Sequence, residues 1–438
     1  MNNLSVAAPL NNPKTVRAWY MYDWANSVYS LVITSAIFPV YYKEVAKTGG
    51  SDDVSFFGYI VNNSTLYSYA LSFSFLIVAA IVPLLSGVAD YTGNKKVFMK
   101  FFVWVGGFSC MGLYFFVDVS MLEWAILCSV LASIGYSGSL VFYDAFLPEI
   151  VTEDRYDRTS AKGYSTGYYG SVILMVICIL LILNPGSFGF DDAGEATRFS
   201  FLLVGAWWIG FSFIPFAILP NNPYNQKPSG NIWTKGYHEL RKVWNMLGDQ
   251  PDLKKFLAAF FFYNTGVQTV MYLAALFGTD VLKLESGKLI QTVLLIQLVG
   301  SVGALLFARL SGKKGNRFTL LTTIVIWIGI CICSYFITTA REFYILAAVV
   351  GLVMGGIQAL SRSTYSKLIP EGTIDHTSYF SFYDVTYYLS IVVGTFSYAF
   401  IHQMTGDMRY SALSLAGYFI IGMIILFLVR SPQIRKGK

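Results

Sequence analysis

The sequence is short of charge. Asp, Glu, Lys and Arg make up 13% of its 438 residues, roughly half the share in an ordinary soluble domain. A chain so composed cannot cover a water-facing surface of its own size. Cysteine is scarce as well, and five residues exclude a disulfide scaffold. Cys331 and Cys333 would set their thiols about 200° apart on a helix, poor geometry for one metal. Of the three histidines, His238, His376 and His402, none lies at mid-depth of an apolar run, which argues against a histidine proton relay. The glycine-rich runs sit inside apolar stretches rather than at a strand-to-helix turn. No phosphate-cradling loop is expected, and no cofactor. No nucleophile–base pair stands out, so an enzyme is not expected. What abounds is oil: 55% apolar residues, with 35 Phe, 30 Tyr and 9 Trp, and a mean hydropathy of +0.55. Such content excludes disorder. The remaining class is a polytopic membrane protein. Its net charge of +6 needs no nucleic acid, because membrane proteins gather Lys and Arg on one face.

A helix needs about 20 apolar residues to cross the hydrocarbon layer. Twelve stretches qualify: 19–42, 64–86, 98–118, 121–147, 163–184, 199–219, 254–279, 288–309, 318–339, 343–366, 377–402 and 410–430. They are continuously apolar and too long for the strands of a lipid-facing barrel. The second has the least distinct start, because a charge-free run begins near Val54. With the N-terminus inside, twenty-four of the thirty-one Lys and Arg fall in inner segments, among them Lys227, Arg435, Lys436 and Lys438. Both termini are therefore expected in the cytoplasm. Residues 1–18 are polar, so the first span is expected to serve as a retained insertion signal. Asn62 and Asn63 each begin an N-x-S/T sequon, most simply by chance.

Residues 220–253 form the longest polar stretch and separate six spans from six. Expected boundaries are an N-terminal half at 1–219, a cytoplasmic linker at 220–253 and a C-terminal half at 254–438. Two loop sequences recur at one offset: Gly93-Asn94-Lys95 and Gly315-Asn316-Arg317, and Pro148-Glu149 and Pro370-Glu371, each 222 residues apart. A repeat of six spans in one orientation implies parallel halves about an axis along the membrane normal. The expected fold is all-α, with twelve transmembrane helices in two six-helix pseudo-symmetric halves.

That is the major facilitator architecture, and two sets of residues resemble it. Gly87-Val-Ala-Asp90-Tyr91-Thr-Gly93-Asn-Lys95-Lys96 resembles the superfamily's loop signature, with Tyr91 where Arg is usual. Tyr22-Asp23-Trp24-Ala25-Asn26-Ser27 is similar to the first span of a narrower family that includes fungal vacuolar amino-acid effluxers linked to autophagy. Residues 263–269 resemble that family's seventh span, with Thr265 where Asp is common. Residues 355–363, 368–370 and 382–385 are similar to its tenth and eleventh. The resemblance runs from about 17 to 400. It implies export of amino acids or related zwitterions. The membrane would be the cell (inner) membrane of a bacterium or the vacuolar membrane of a fungus.

Charged side chains inside a bilayer are costly and need a reason. Asp23, Ser27, Ser30 and Thr34 fall at i, i+4, i+7 and i+11, a polar stripe with Asn26 beside it. The stripe reads as a cavity face or as an interhelical lock. Asp384 lies about 10 Å into the eleventh span, next to Tyr383 and on one face with Ser381 and Tyr388. It reads as a proton or substrate site, or as the partner of Arg362. Arg362, with Gln358 one turn deeper, could hold a substrate carboxylate or pair with Asp384 or Asp23. Asn264, Gln268 and Tyr272 form a stripe in the seventh span that suits a polar solute or a helix–helix bond. Gating or conformational roles fall to Gly87, Asp90, Gly93 and Lys95, and to Asp144, Glu149, Arg155 and Arg158. Lys95 and Lys96 are expected at the lipid surface. Glu149 is expected to work with Arg155 and Arg158. Asp90 is expected to cap a loop helix or a helix N-terminus. Gly163, Gly167 and Gly170 in the fifth span fit an antiporter motif or simple packing.

Together these predict a monomeric secondary transporter in the lipid bilayer, moving a small polar solute, with protons as a coupling ion. Two alternatives stand beside it. One is a transporter of metal ions or of another metabolite or drug. The other is a transport-inactive receptor or scaffold.

Overall fold

The computed structural model describes residues 9–430 apart from positions 225, 227, 229 and 285. Lys227, Arg435, Lys436, Lys438 and residues 1–8 lie outside the described residues. Twelve helical spans alternate in direction. The first consists of Pro13–Val28, a π-helical turn at Tyr29–Ala36, and Ile37–Val45. Spans two to six are Asn63–Thr92, Lys95–Gly112, Leu122–Asp144, Tyr156–Leu183 and Ala193–Ile218. Spans seven to twelve are Pro251–Leu282, Ser286–Lys314, Asn316–Phe336, Ala340–Leu368, His376–Thr405 and Met408–Phe427. Among the described residues, ten helices are long and apolar enough to cross a membrane. The other two carry the most polar interiors: the first breaks into a π segment, and the seventh is interrupted by Asn264, Thr265, Gln268 and Thr269.

The face holding residues 9–12, the linker and Arg430 is called the base here, and the opposite face the mouth. The halves meet where span two packs on eleven, span five on eight and ten, and span four on eleven. Glycines let the helices close up inside each half. A methyl at Gly163 would lie 2.2 Å from Asp23 Oδ2, one at Gly167 2.4 Å from Ser27 Oγ, and one at Gly170 2.8 Å from Trp24 O. These three positions serve the packing of span five on span one.

Two features were absent from the sequence reading. The charge-free run before span two is a β-hairpin, Asp53–Phe56 paired antiparallel with Tyr59–Asn62. Its turn residues Phe57 and Gly58 have φ of 49° and 84°, the mirror-image turn that matches strand twist. Asn62 then caps span two, accepting from the backbone N–H of Ser64 and Thr65. Asn63 is buried and donates to Ala46 O at 2.7 Å, so its sequon presents no free amide. The polar linker contains a helix, Ile232–Gly248, capped by Asn231. It buries Gly236, Val243 and Leu247 and lies on span two, where a methyl at Gly87 would be 2.2 Å from Gly236 O. Gly93 takes φ 70° at the end of span two, against Asn222 of the linker.

Candidate functional site

A central cavity lies between the halves. It holds about 1310 Å³ of space, part of it open to solvent. Span one contributes Asp23, Asn26, Ser27, Ser30 and Thr34 to its wall, as the stripe predicts, and also Tyr29 and Ser35. The ladder there shifts to π, with Ser35 Oγ donating to Ser30 O five residues back at 2.8 Å. Single π turns recur at functional sites. Hydropathy carries no trace of this shift, so the sequence did not announce it.

The floor of the cavity is an ion cluster joining the halves. Arg362, on span ten, donates to Asp144 Oδ1 on span four at 2.9 Å and lies 3.5 Å from Asp23 Oδ2 on span one. It also donates to the hydroxyl and carbonyl of Ser160 on span five at 3.0 and 3.1 Å. Its guanidinium sits over the rings of Trp19, Tyr143 and Tyr164, with centroids 4.7, 5.5 and 4.3 Å away. Tyr143 donates to Asp23 Oδ2 at 2.5 Å. All members except Tyr164 are buried. Such a cluster is held by mutual satisfaction, since each charge alone would be expensive here.

Asp384 stands apart. It lines the cavity and is 7% exposed, yet its Oδ2 has no hydrogen-bond partner. Arg362 is not its partner, because that fork is already filled by Asp144, Asp23 and Ser160. Tyr383, Gln268, Tyr272 and Gln358 also line the cavity, and Tyr168 of span five donates to Gln358 Oε1 across the halves at 2.7 Å. Asn264 does not line it. Its amide donates to Ser390 Oγ on span eleven at 2.6 Å and accepts from Gln268 at 3.2 Å, the helix–helix alternative for that stripe.

Below the cavity, polar contacts close the base. Asp90 accepts from the backbone N–H groups of Thr377 and Ser378, at 3.0 and 2.6 Å, and so caps span eleven from the other half. Asp375 occupies that helix's own N-cap position without capping it. It is drawn instead to Lys242 of the linker helix at 2.8 Å. Burial pushes the Asp375 carboxyl above the usual range, and Lys242 opposes that rise. On the other side, Asp157 of span five accepts from Ser311 at 3.0 Å, Asn316 at 2.8 Å and Lys367 at 2.8 Å.

Lys95, Lys96, Glu149, Arg155 and Arg158 are placed otherwise than expected. Lys95 and Lys96 are buried rather than at the lipid surface. Lys95 pairs with Glu149 and donates to Ala145 O at 3.2 Å, and Lys96 donates to Leu219 O at 2.6 Å. They tie the base ends of spans three, four and six together. Glu149 thus works with Lys95, while Arg155 and Arg158 are exposed. Asp144 belongs to the cavity floor rather than to a separate gate. The Asp157 cluster was missed, although Asn316 already stood out as the repeat partner of Asn94. Among the described residues, no three His, Cys, Asp or Glu side chains are grouped as metal ligands.

Twelve spans in two halves around a polar cavity define a transporter of the major facilitator fold. The solved transporter FucP, described in its outward conformation, superposes with a TM-score of 0.70 at 11% identity, over 96% of this chain and 99% of that one. More narrowly, the family described as vacuole effluxer Atg22 like matches residues 11–438, and the chain belongs to it. An uncharacterized MFS-type transporter, YxiO, of Bacillus subtilis (strain 168) is 33% identical over 417 residues, 95% of each chain. Autophagy-related protein 22 of Eremothecium gossypii is 24% identical, over 97% of this chain and 92% of its own. The chain is thus an integral membrane transporter that takes a small-molecule substrate.

Proposed function

We propose that the protein moves an amino acid or related zwitterion by alternating access, as a monomer and as proton-coupled efflux. One observation carries this reading: both halves place charged groups in one cavity, Asp23 and Asp144 from the first and Arg362 and Asp384 from the second. A polar solute bound there contacts both halves, so rocking them exposes it to either side. The halves would divide at 1–219 and 254–438, with 220–253 as a linker strapped to span two. The base is the cytoplasmic side, supported by its share of Lys and Arg. The bacterial relative, at 33% identity, supports the cell membrane as the location. The vacuolar effluxers in the family support the direction of export.

Asp23, Asn26, Gln268, Gln358, Tyr383 and Asp384 would meet the solute or the proton. Asn264 would orient Gln268. Arg362 would act chiefly as the inter-half lock, because its donors are engaged. Asp384 is the proton carrier, supported by its burial and lack of a partner. Counterflow and pH-driven flux of amino acids in proteoliposomes test this with Asp384→Asn. Driven flux should stop while counterflow of bound solute persists. Driven flux with unchanged stoichiometry would remove Asp384 from the coupling.

A further inference from the structure

The cavity shows an imbalance of charge. Among the described lining residues there are three carboxylates, Asp23, Asp144 and Asp384, and one cation, Arg362. Arg362 already faces two of the three. The third, Asp384, has an oxygen that is buried and bonded to nothing. A desolvated carboxylate in this setting must be matched by a positive group or be neutralised.

The protein displays its own solution for holding a buried cation. Around Arg362 it sets carboxylates at 2.9 and 3.5 Å and three aromatic faces with centroids 4.3 to 5.5 Å away. The same kinds of group line the cavity that holds Asp384: Tyr164, Tyr383 and Tyr388 stand in its wall, while its cation, Arg362, is engaged by Asp144 and Asp23. Tyr388 stacks on Phe75 of span two at 5.3 Å, so rings from both halves border the position. Ring faces attract ammonium groups most strongly where water is excluded.

We propose that the solute carries net positive charge, and that its ammonium group seats on Asp384 against these rings. The class is an aliphatic diamine or a basic amino acid rather than a neutral zwitterion. This rests on reading the cavity as the solute site. The reasoning is electrostatic. A zwitterion adds no net charge, and its carboxylate would enter a cavity that already has an excess of carboxylates and an arginine whose donors are taken. A carboxylate on the solute is therefore dispensable, whereas the ammonium is not.

The test uses the full-length protein in proteoliposomes and in detergent, with L-lysine, 1,5-diaminopentane, L-leucine and L-glutamate as probes. Lysine and the diamine should compete with each other and bind at least about tenfold more tightly than leucine, the scale of one ring-supported charge contact. Both should show counterflow, and glutamate should not. Asp384→Asn should erase the preference for lysine over leucine, and Asp384→Glu should restore part of it. The wild-type ranking needs no variant to fold, so it decides by itself. Counterflow of leucine at equal or greater affinity than lysine and the diamine overturns the cationic class and leaves the transport reading standing. If none of the four probes binds or moves, the reading of the cavity as an amino-acid or amine site falls, and this inference falls with it.

Discussion

The two seals at the base occupy equivalent places in the repeat but are built from different chemistry. Between spans two and eleven, Asp90 grips backbone: two N–H groups at the start of a helix, at 3.0 and 2.6 Å. Between spans five and eight, Asp157 grips side chains: Ser311, Asn316 and Lys367. The first seal is strapped by the linker helix through Lys242 and Asp375. The 222-residue offset puts Gly312 opposite Asp90 and Tyr379 opposite Asp157, so neither carboxylate has a counterpart in the second half. The acids that bond across the halves at the seals and floor, Asp23, Asp90, Asp144 and Asp157, all come from the first half, and Asp375 of the second is taken up by the linker's Lys242. The second half answers with Arg362, Lys367 and a helix N-terminus. Symmetry of fold thus coexists with polarity of charge across the interface. Asp384 breaks that polarity inside the cavity: it is an acid from the cationic half, and its Oδ2 is left without a mate.

The largest expected effect comes from removing the central cation of this polar interface. Arg362→Ala leaves Asp23 and Asp144 buried without a countercharge, a loss on the order of 3–5 kcal/mol. Denaturant titration of the purified protein should show it, and counterflow should vanish. A variant as stable as wild type would mean that the two acids are not held as a charged set. Next is Gly163→Ala. Its methyl would lie 2.2 Å from Asp23 Oδ2 and 3.0 Å from Trp19, so span one must shift from span five. An overpacked core costs about 1–3 kcal/mol. Melting should fall accordingly, and solute affinity should fall with it, whereas Gly210→Ala, with nothing within 4 Å, should leave both unchanged.

How much of this the sequence disclosed follows from what each feature depends on. Spans were legible because crossing the bilayer requires about 20 apolar residues in a row, a local demand written into consecutive positions. Asp23 and Asp384 were legible for the converse reason, since a charge in such a run stands out. The partners of Arg362 were legible only in part: Asp23 was one of the two acids expected to meet it, whereas Asp144 lies on a span of the other half and only tertiary packing brings it there. Lys95 and Lys96 misled because a loop signature records residue type but not the fold of the loop. Burial against Glu149 and Leu219 depends on how spans three, four and six close together. The hairpin at 53–62 blurred the start of span two because its residues from Val54 onward are uncharged. The linker helix did leave a signal, with Gly236, Val243 and Leu247 at i, i+7 and i+11 amid polar neighbours.

Smaller effects sharpen the comparison of the two seals. Asp157→Asn removes the charge facing Lys367, whose side chain is nearly buried, and should open the five–eight side of the base. Spin labels at the base ends of those spans should show a longer distance. Asp90→Asn keeps one of the two acceptor oxygens that Thr377 and Ser378 use and should weaken this cap only in part, whereas Asp90→Ala should cost about 1 kcal/mol. Opposite results, with Asp90→Asn opening its side and Asp157→Asn silent, would reverse the assignment of backbone and side-chain seals.

The smallest effect belongs to the strap. Lys242 meets Asp375 at 2.8 Å but its side chain is half exposed, and solvent screens such pairs to about 0–1 kcal/mol. Lys242→Gln should therefore leave melting nearly unchanged. Its consequence is positional: with Lys242 gone, Asp375 is released at the N-cap of span eleven and can cap the helix that Asp90 now caps from the other half. The base would lose one inter-half bond in exchange for a local one, which favours opening there. Transport at low salt should accelerate where release at the base limits the rate, and high salt should erase the difference between variant and wild type. A salt-independent change would place the role of Lys242 in packing rather than charge.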